Sequence, residues 1–309
     1  MKVLVTGASG FLGGAVARFL AQQGDFEIRG IGTRHPSAVR LPAGVRYWQQ
    51  AVEDVDVEAH GVDAIVHCAG TSDVEYAARS PRRAVRDTVE ATAWLLHSAM
   101  VTENRVVILS TQSVYGGRGV PLIEAVALRP RSVYGALMAA REMVALAYWH
   151  SVRSPVVVLR LCNVYGPGER PGALVRNFLT AALRRQPMRV EGDGAQVRCL
   201  LYVEDMARAV HAALTGFDAL VGLAWNVAGP AVSIRELAEA CGRVAGYEEI
   251  VHAPARAHEE GRVELDAAAF RGITGWAPRV PIDHGLDRMS EWLQRTQADG
   301  AIPALGADP

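Results

Sequence analysis

Apolar and polar positions follow two rhythms along the first half of this chain. Short, largely apolar runs lie at residues 2–6 (KVLVT), 64–69 (AIVHCA), 105–110 (RVVILS) and 156–161, and residues 26–32 (FEIRGIG) read as a further strand. Runs of that length without alternation mark strands buried on both faces. Between them lie segments of helical spacing at 13–23, with Val16, Phe19 and Leu20 on one face, at 84–100 and at 133–152. Strand and helix in alternation predict an α/β fold, a doubly wound parallel sheet. After Gly166 the texture changes. Pro167, Gly168, Pro171 and Gly172 mark a loop, and the pattern then predicts a helix over 173–185, strands over 188–191 and 199–203, and a helix over 203–214. Residues 224–227 read as a strand returning to the main sheet. Ser233 with Glu236 three positions on opens a helix to 245 through a capping box. Residues 299–309 have no periodicity and are expected to be mobile. The expected division is a first domain over 1–165, joined by the strand at 224–227, and a smaller, mainly separate α/β part over 166–309.

Composition narrows the function. Half of the 309 residues are apolar, and 32 basic residues stand against 33 acidic ones. This balance gives no field for nucleic acid, so Arg82-Arg83 and Arg184-Arg185 are read as solvated faces. No stretch of about 18 apolar residues is available to span a membrane. Cys68, Cys162, Cys199 and Cys241 form no CxxC pair and read as reduced thiols. With no basic and apolar leader pattern at the start, a cytoplasmic location is expected. Histidines form no metal motif; His252 and His258 are the closest spaced candidates and are read as exposed, so no metal is expected. No nucleophile elbow and no P-loop lysine occur. Of the 32 basic residues 31 are arginine, and the single lysine is Lys2.

The first strand runs into V-T-G-A-S-G-F-L-G, with glycines at 7, 10 and 13. Glycines here allow a tight turn and a close backbone approach, and a pyrophosphate then sits on the N–H groups that open the helix. Gly7, Ser9, Gly10, Phe11, Leu12 and Gly13 are therefore candidate dinucleotide-binding residues, a plain tight turn being the bland alternative. The second strand ends Gly32-Thr33-Arg34, without the acid that holds a ribose 2′-OH. A hydroxyl and a guanidinium suit a 2′-phosphate, so NADP(H) is favoured over NAD(H). The alternative is a solvent-facing Arg34.

Further motifs follow in order: VHCAG at 66–70, STQSVYG at 110–116, PLIE at 121–124, PRSVYG at 130–135, RLCNVYGPG at 160–168, VRCLLYVED at 197–205, NVAG at 226–229 and GWAP at 275–278. With these the chain resembles, over nearly its whole length, the extended short-chain dehydrogenases/reductases, in their nucleotide-sugar epimerase/dehydratase branch. The resemblance implies a Rossmann-type sheet with a smaller C-terminal substrate-binding subdomain. It implies that Thr111 orients the reacting oxygen, that Tyr134 moves its proton, and that Ala69 and Gly70 line the cofactor together with Tyr134. Asn163 and Arg198 fall where a nucleotide-sugar is held, and Thr71, Gln112 and Ser113 lie beside them. Asn163 as a loop cap and Arg198 paired with Glu204 or Asp205 are the plain alternatives. A homodimer through the helices at 84–100 and 133–152 is also implied.

One departure changes the expected chemistry. The family's Tyr-x-x-x-Lys reads Tyr134-Gly135-Ala136-Leu137-Met138 here. Met138 stands one turn after Tyr134, on the same face, where the lysine would lower the tyrosine's pKa and bind the nicotinamide ribose. A tyrosine has a pKa of about 10, and shifting it to near 7 is worth roughly 4 kcal/mol. Without that shift Tyr134 is a poor base for oxidising an alcohol but a usable proton donor to a ketone. A ketoreductase therefore fits better than an efficient epimerase. Arg141, seven residues on, could in principle lean back toward Tyr134, but a surface arginine near Glu142 is the simpler expectation. Thr88 takes the place of a family asparagine that supports the lysine. Thr111 is followed by Gln112 and Ser113 in place of the dehydratases' Asp-Glu pair, which speaks against sugar dehydration. The alternative to redox turnover is a cofactor-binding pseudoenzyme, or a non-redox isomerase, cyclase or lyase on the same fold.

Overall fold

A computed structural model describes residues 1–117, 121–255 and 261–298. The expected tail at 299–309 and His258 lie outside the described residues. In chain order the first half comprises β1 (Lys2–Thr6), α1 (Phe11–Gln22), β2 (Glu27–Gly32), β3 (Arg46–Gln49), α2 (Val57–His60), β4 (Ala64–His67), α3 (Val74–Arg79), α4 (Pro81–Val85), α5 (Ala91–Val101), β5 (Arg105–Thr111), α6 (Val133–Val152) and β6 (Val156–Leu161). The second half adds β7 (Asn163–Tyr165), α7 (Leu174–Leu183), β8 (Met188–Glu191), β9 (Val197–Tyr202), α8 (Val203–Thr215), α9 (Phe217–Leu220), β10 (Ala224–Val227), β11 (Ala231–Ser233), α10 (Ile234–Ala245), β12 (Ile250–Ala253), β13 (Arg262–Val263), α11 (Ala268–Thr274) and α12 (Ile282–Ala298).

The main sheet has seven parallel strands in the order β10-β6-β5-β4-β1-β2-β3. It is the doubly wound α/β fold that the sequence pattern predicts. Its central strands are buried at every position or nearly so; β4 and β6 show no exposed residue. One core forms around Val3, Val5, Val16, Leu20 and Val107, and a second, on the other face, around Leu4, Ile65, Leu95, Leu96 and Ile108. Alternate residues of the same strands thus feed opposite layers. The strand order reverses between β4 and β1, so the loops after these strands diverge and leave a crevice at their C-terminal ends. The motifs of the candidate site sit around that crevice. Two smaller assemblies, β11-β9-β13 with β7 on β9, and β12 on β8, stand beside it.

Two differences from the pattern-based expectation have physical causes. The segment at 84–100 is not one regular helix: Arg86–Glu90 form a π-helical turn between α4 and α5. Such a turn inserts a residue without breaking the apolar stripe, so periodicity does not reveal it. The strands β3, β7, β11, β12 and β13 are two to four residues long and half-exposed, too short to write an alternation. The expected capping box at Ser233 and Glu236 is present. Among the described residues no helix is long and apolar enough to cross a membrane.

Candidate active site

The turn after β1 is built for a close approach. Gly7 has φ +67°, and a Cβ there would stand 2.9 Å from the Ala69 nitrogen. A Cβ on Gly13 would run into the Gly7 carbonyl. The Gly10 N–H donates to that carbonyl at 2.8 Å, and Gly10 opens α1 without any side-chain cap. The first-turn N–H groups around Phe11, Leu12 and Gly13 therefore have no side-chain acceptor, the arrangement that receives an anion. Ser9 lies against Gly32 at the end of β2, and Gly168 lies 3.4 Å from the Phe11 ring, measured from an added Cβ. A glycine-lined seat of this shape fits a dinucleotide pyrophosphate. At the end of β2 both Thr33 and Arg34 are exposed. Their backbone is pinned from β3, where Tyr47 donates to the Arg34 carbonyl at 2.8 Å and Gln49 to the Thr33 carbonyl at 3.2 Å.

The end of β4 is fixed by a buried polar chain that sequence inspection did not find. The Ala69 N–H donates to Thr6 Oγ1 at 3.1 Å, and Thr6 Oγ1 is 2.7 Å from His67 Nδ1. On the other side His67 Nε2 is 2.9 Å from Thr92 Oγ1, which donates to the Thr88 carbonyl at 2.6 Å. With the Thr92 hydrogen committed to Thr88, His67 must donate from Nε2 and accept at Nδ1 from Thr6. The ring is thus neutral, in keeping with burial, which pulls its pKa well below the ordinary histidine value, helped by the charge on Arg141. Thr88 sits in the π-helical turn, and its Oγ1 accepts the Thr71 N–H at 3.2 Å. The Thr71 hydroxyl itself is buried without a hydrogen-bond partner.

Thr111 ends β5, and Tyr134 lies in the first turn of α6, which Ser132 caps by accepting the Gly135 N–H at 3.0 Å. The Thr111 hydroxyl is 3.3 Å from Ser113 Oγ and also accepts the Ser113 N–H. Tyr134 keeps part of its surface open, yet desolvation pushes its pKa above the ordinary tyrosine value. A hydrogen bond with the Thr111 side chain and the charges on Arg141 and Arg170 pull the other way. Met138 is 5% exposed and packs into the main core. One turn after Tyr134, the methionine is thus a core hydrophobe.

Arg141 differs from the expected surface arginine. It is 2% exposed, and its side chain leans back along α6 to the end of β4. Nη1 donates to the Ala69 carbonyl at 3.0 Å and Nη2 to the His67 carbonyl at 2.9 Å. Glu142 is buried as well and belongs to another partner: Arg160 Nε donates to it at 2.9 Å, and Ser110 also donates to it. The expectation failed because an arginine between Ala140 and Glu142 in mid-helix looks the same whether it faces water or a crevice.

Gln112 Nε2 donates to Asn163 Oδ1 at 3.0 Å, while Gln112 Oε1 is buried without a partner. Asn163 is exposed and belongs to β7, so it is not a loop cap. It lies opposite Leu200 on β9, two residues from Arg198, which places Asn163 and Arg198 on one face of that sheet. Arg198 donates to the Val197 carbonyl at 2.9 Å. Glu204 pairs with Arg208 and Arg288, and Asp205 with Arg208. Arg170 forms an ion pair with Asp73 at 2.8 Å, linking the loop after β7 to the start of α3. Nearby, Glu169 is 7% exposed, and burial lifts its pKa to about 8 against the pull of Arg176 and Arg170.

The crevice, the glycine turn and the Thr-Tyr pair at the sheet's C-terminal edge define a dinucleotide-dependent enzyme fold. The sequence model of the NAD dependent epimerase/dehydratase family matches residues 3–228, and the chain belongs to that family. A dTDP-glucose 4,6-dehydratase of Neisseria gonorrhoeae is 30% identical, over 94% of this chain and 95% of that protein. A UDP-glucuronate 4-epimerase of Thermodesulfobacterium geofontis is 25% identical, over 94% and 95%. Among solved structures, the UDP-glucose 4-epimerase of Thermotoga maritima with UDP-glucose superposes with a TM-score of 0.87 at 26% identity, over 96% of this chain and all of that one. The dTDP-glucose 4,6-dehydratase of Streptomyces venezuelae, in a complex that includes NAD, gives a TM-score of 0.86 at 28% identity, over 96% and 98%.

Proposed function

We propose that this protein is an NAD(P)-dependent ketoreductase acting on a keto form of a nucleotide-sugar. The observation that carries this reading is Tyr134, a desolvated phenol beside Thr111 with methionine where a lysine would stand. With no lysine beside it to bring its pKa toward neutrality, the phenol stays protonated at neutral pH, and burial moves it further from ionising, so it can give a proton but is a poor base. The glycine turn and the open N–H groups of α1 hold the dinucleotide pyrophosphate. Thr33 and Arg34, exposed and with no acid at the strand end, favour NADP(H) over NAD(H). Ala69 and Gly70 line the same crevice. The bound reduced dinucleotide supplies the two electrons and one hydrogen that the substrate carbon gains. Thr111 holds the ketone oxygen by hydrogen bonding, and Tyr134 O–H passes its proton to that oxygen, leaving an alcohol and a phenolate. The phenolate forms in the first turn of a 20-residue helix, whose dipole favours negative charge there.

Asn163 and Arg198 on β7 and β9, with Thr71, Gln112 and Ser113, are assigned to the substrate. The orphan buried oxygens of Thr71 and Gln112 support this, since buried polar atoms without partners await a ligand or water. Gln112 and Ser113 supply no carboxylate for water loss, so sugar dehydration is not proposed. Residues 1–165 with β10 are assigned to the cofactor, and residues 166–309 mainly to the substrate. A cytoplasmic location is consistent with four free cysteines, three of them buried. The second reading, cofactor binding without redox turnover or with non-redox chemistry, rests on Met138 alone.

The test mixes the purified protein with NADPH or NADH and a 4-keto nucleotide-sugar, and follows the absorbance of the reduced nicotinamide. Turnover is expected with both, with kcat/KM higher for NADPH. Tyr134→Phe should lower kcat by a factor of about 100 or more. Absence of turnover with either dinucleotide would remove the reductase reading, and an unchanged Tyr134→Phe would remove the proton donor.

A further inference from the structure

A buried arginine needs something to receive its charge, and Arg141 has little. Its two terminal nitrogens hold the carbonyls of Ala69 and His67, neutral acceptors at the end of β4. Its Nε is buried with no hydrogen-bond partner. The adjacent carboxylate, Glu142, is taken up in accepting hydrogen bonds from Arg160 and Ser110. Burial lowers the Arg141 pKa to about 10, which still leaves it charged at neutral pH. The groups that face it are Tyr134 and Glu142 on its own helix, and Cys68 and His67 on and just after β4. Cys68 is a neutral thiol, pushed up to about 12 by burial, and His67 is neutral. Tyr134 in turn is faced by Thr111 from β5, by Arg141, and by Arg170 from the loop after β7. A Cβ on Gly70 would stand 3.1 Å from Arg141 Nη1, and Gly70 has φ +134°, so a glycine makes the room for the guanidinium.

We propose that Arg141 is a positioning residue for the reaction: reaching back two turns along α6, it stabilises the phenolate left on Tyr134 after proton transfer and fixes the end of β4 through the Ala69 and His67 carbonyls. This rests on the reading of Tyr134 as proton donor. In that reading the O–H bond of Tyr134 breaks, an O–H bond forms on the substrate oxygen, and the negative charge stays on the phenol oxygen. A cation at 141, farther along the helix and with its terminal nitrogens on the β4 carbonyls, eases the cost of the phenolate but leaves the resting phenol above the ordinary tyrosine value, so Tyr134 remains a donor. Seven residues along a helix are about 10 Å of rise, which an arginine side chain that leans toward the N-terminus largely spans. An opposite charge at such a site lowers a pKa by roughly one to three units.

The test is a pH titration of Tyr134 by NMR, with the protein isotope-labelled at the tyrosine Cζ and the signal identified by its loss in Tyr134→Phe. Arg141→Gln should raise the Tyr134 midpoint by at least about one unit. Arg141→Lys should hold it within about half a unit, and Arg141→Gln combined with Met138→Lys should bring it back down. An unchanged midpoint in folded Arg141→Gln would overturn the proposal. If Arg141→Gln fails to fold by circular dichroism, Arg141→Lys decides, and a rise of about one unit with the charge retained would also overturn it. Reductive kcat should fall in Arg141→Gln by about 10-fold with KM for the sugar nearly unchanged, the pattern of a lost transition-state interaction. The titration needs no turnover, so failure of the reductase reading and failure of the Arg141 role give different results.

Discussion

At the residue scale the site turns on which groups carry charge. His67, Cys68 and Tyr134 are all neutral at pH 7, burial shifts each of them further toward its neutral form, and Arg141 is the buried cation among them. Glu169 is a further case. Its carboxyl ionises near 4.5 in an unfolded chain and near about 8 in the folded one. The folded state therefore binds its proton more tightly. The stabilising contribution is complete below about pH 4.5 and is lost as the pH rises through about 8. Glu169→Gln should remove this dependence. Thermal melts across that range should show the native protein losing stability relative to the variant toward higher pH, and parallel curves would contradict the assignment.

At the element scale, α1 and α6 account for most of what the sequence made legible. The turn into α1 could be read because Gly7 and Gly13 are held to glycine by backbone crowding, with Gly10 closing the motif. Gly13→Ala should abolish dinucleotide binding or destabilise the fold, since its Cβ would overlap the Gly7 carbonyl. Calorimetric titration with NADPH, with a melt as control, checks this, and native-like binding would count against the close-approach reading. The limits of α6, Val133–Val152, were legible because Ser132 is an N-cap and the apolar face is long. The buried chain through Thr6, His67, Thr92 and Thr88 was not. Its four members lie on four segments, β1, β4, the π-helical turn and α5, and hydroxyls and imidazole on apolar faces read as ordinary core polar residues. The π-helical turn at Arg86–Glu90 and the inward turn of Arg141 escaped for a related reason. Periodicity reports which face is apolar, and both features change what a face touches without changing its pattern. The position of Met138 was legible, because i and i+4 geometry is fixed by the helix, and its side chain is buried in the core.

At the scale of the whole molecule, parallel strands with reversing order put the glycine turn, the end of β4 and the Thr111–Tyr134 pair around one crevice, and β7 and β9 bring Asn163 and Arg198 from the second half of the chain. Away from the crevice, α5 and α6 expose Trp94, Val101, Met143 and Val152. Single exposed apolar residues are ordinary, but a tryptophan and a methionine more than half exposed on two packed helices suit a subunit interface. A homodimer through these helices is expected, with light scattering giving twice the chain mass and Trp94→Glu/Met143→Glu giving monomer; a monomeric native protein would contradict it. The central claim, redox chemistry carried by Tyr134 without a lysine, is tested most directly by isotope transfer. NADPH deuterated at the nicotinamide C4 position is incubated with the protein and a 4-keto nucleotide-sugar, and the product is weighed by mass spectrometry. Keto reduction predicts an alcohol carrying one deuterium on carbon, formed by the native protein and lost in Tyr134→Phe. A product without deuterium, or an isomer formed with the NADPH unconsumed, would contradict it.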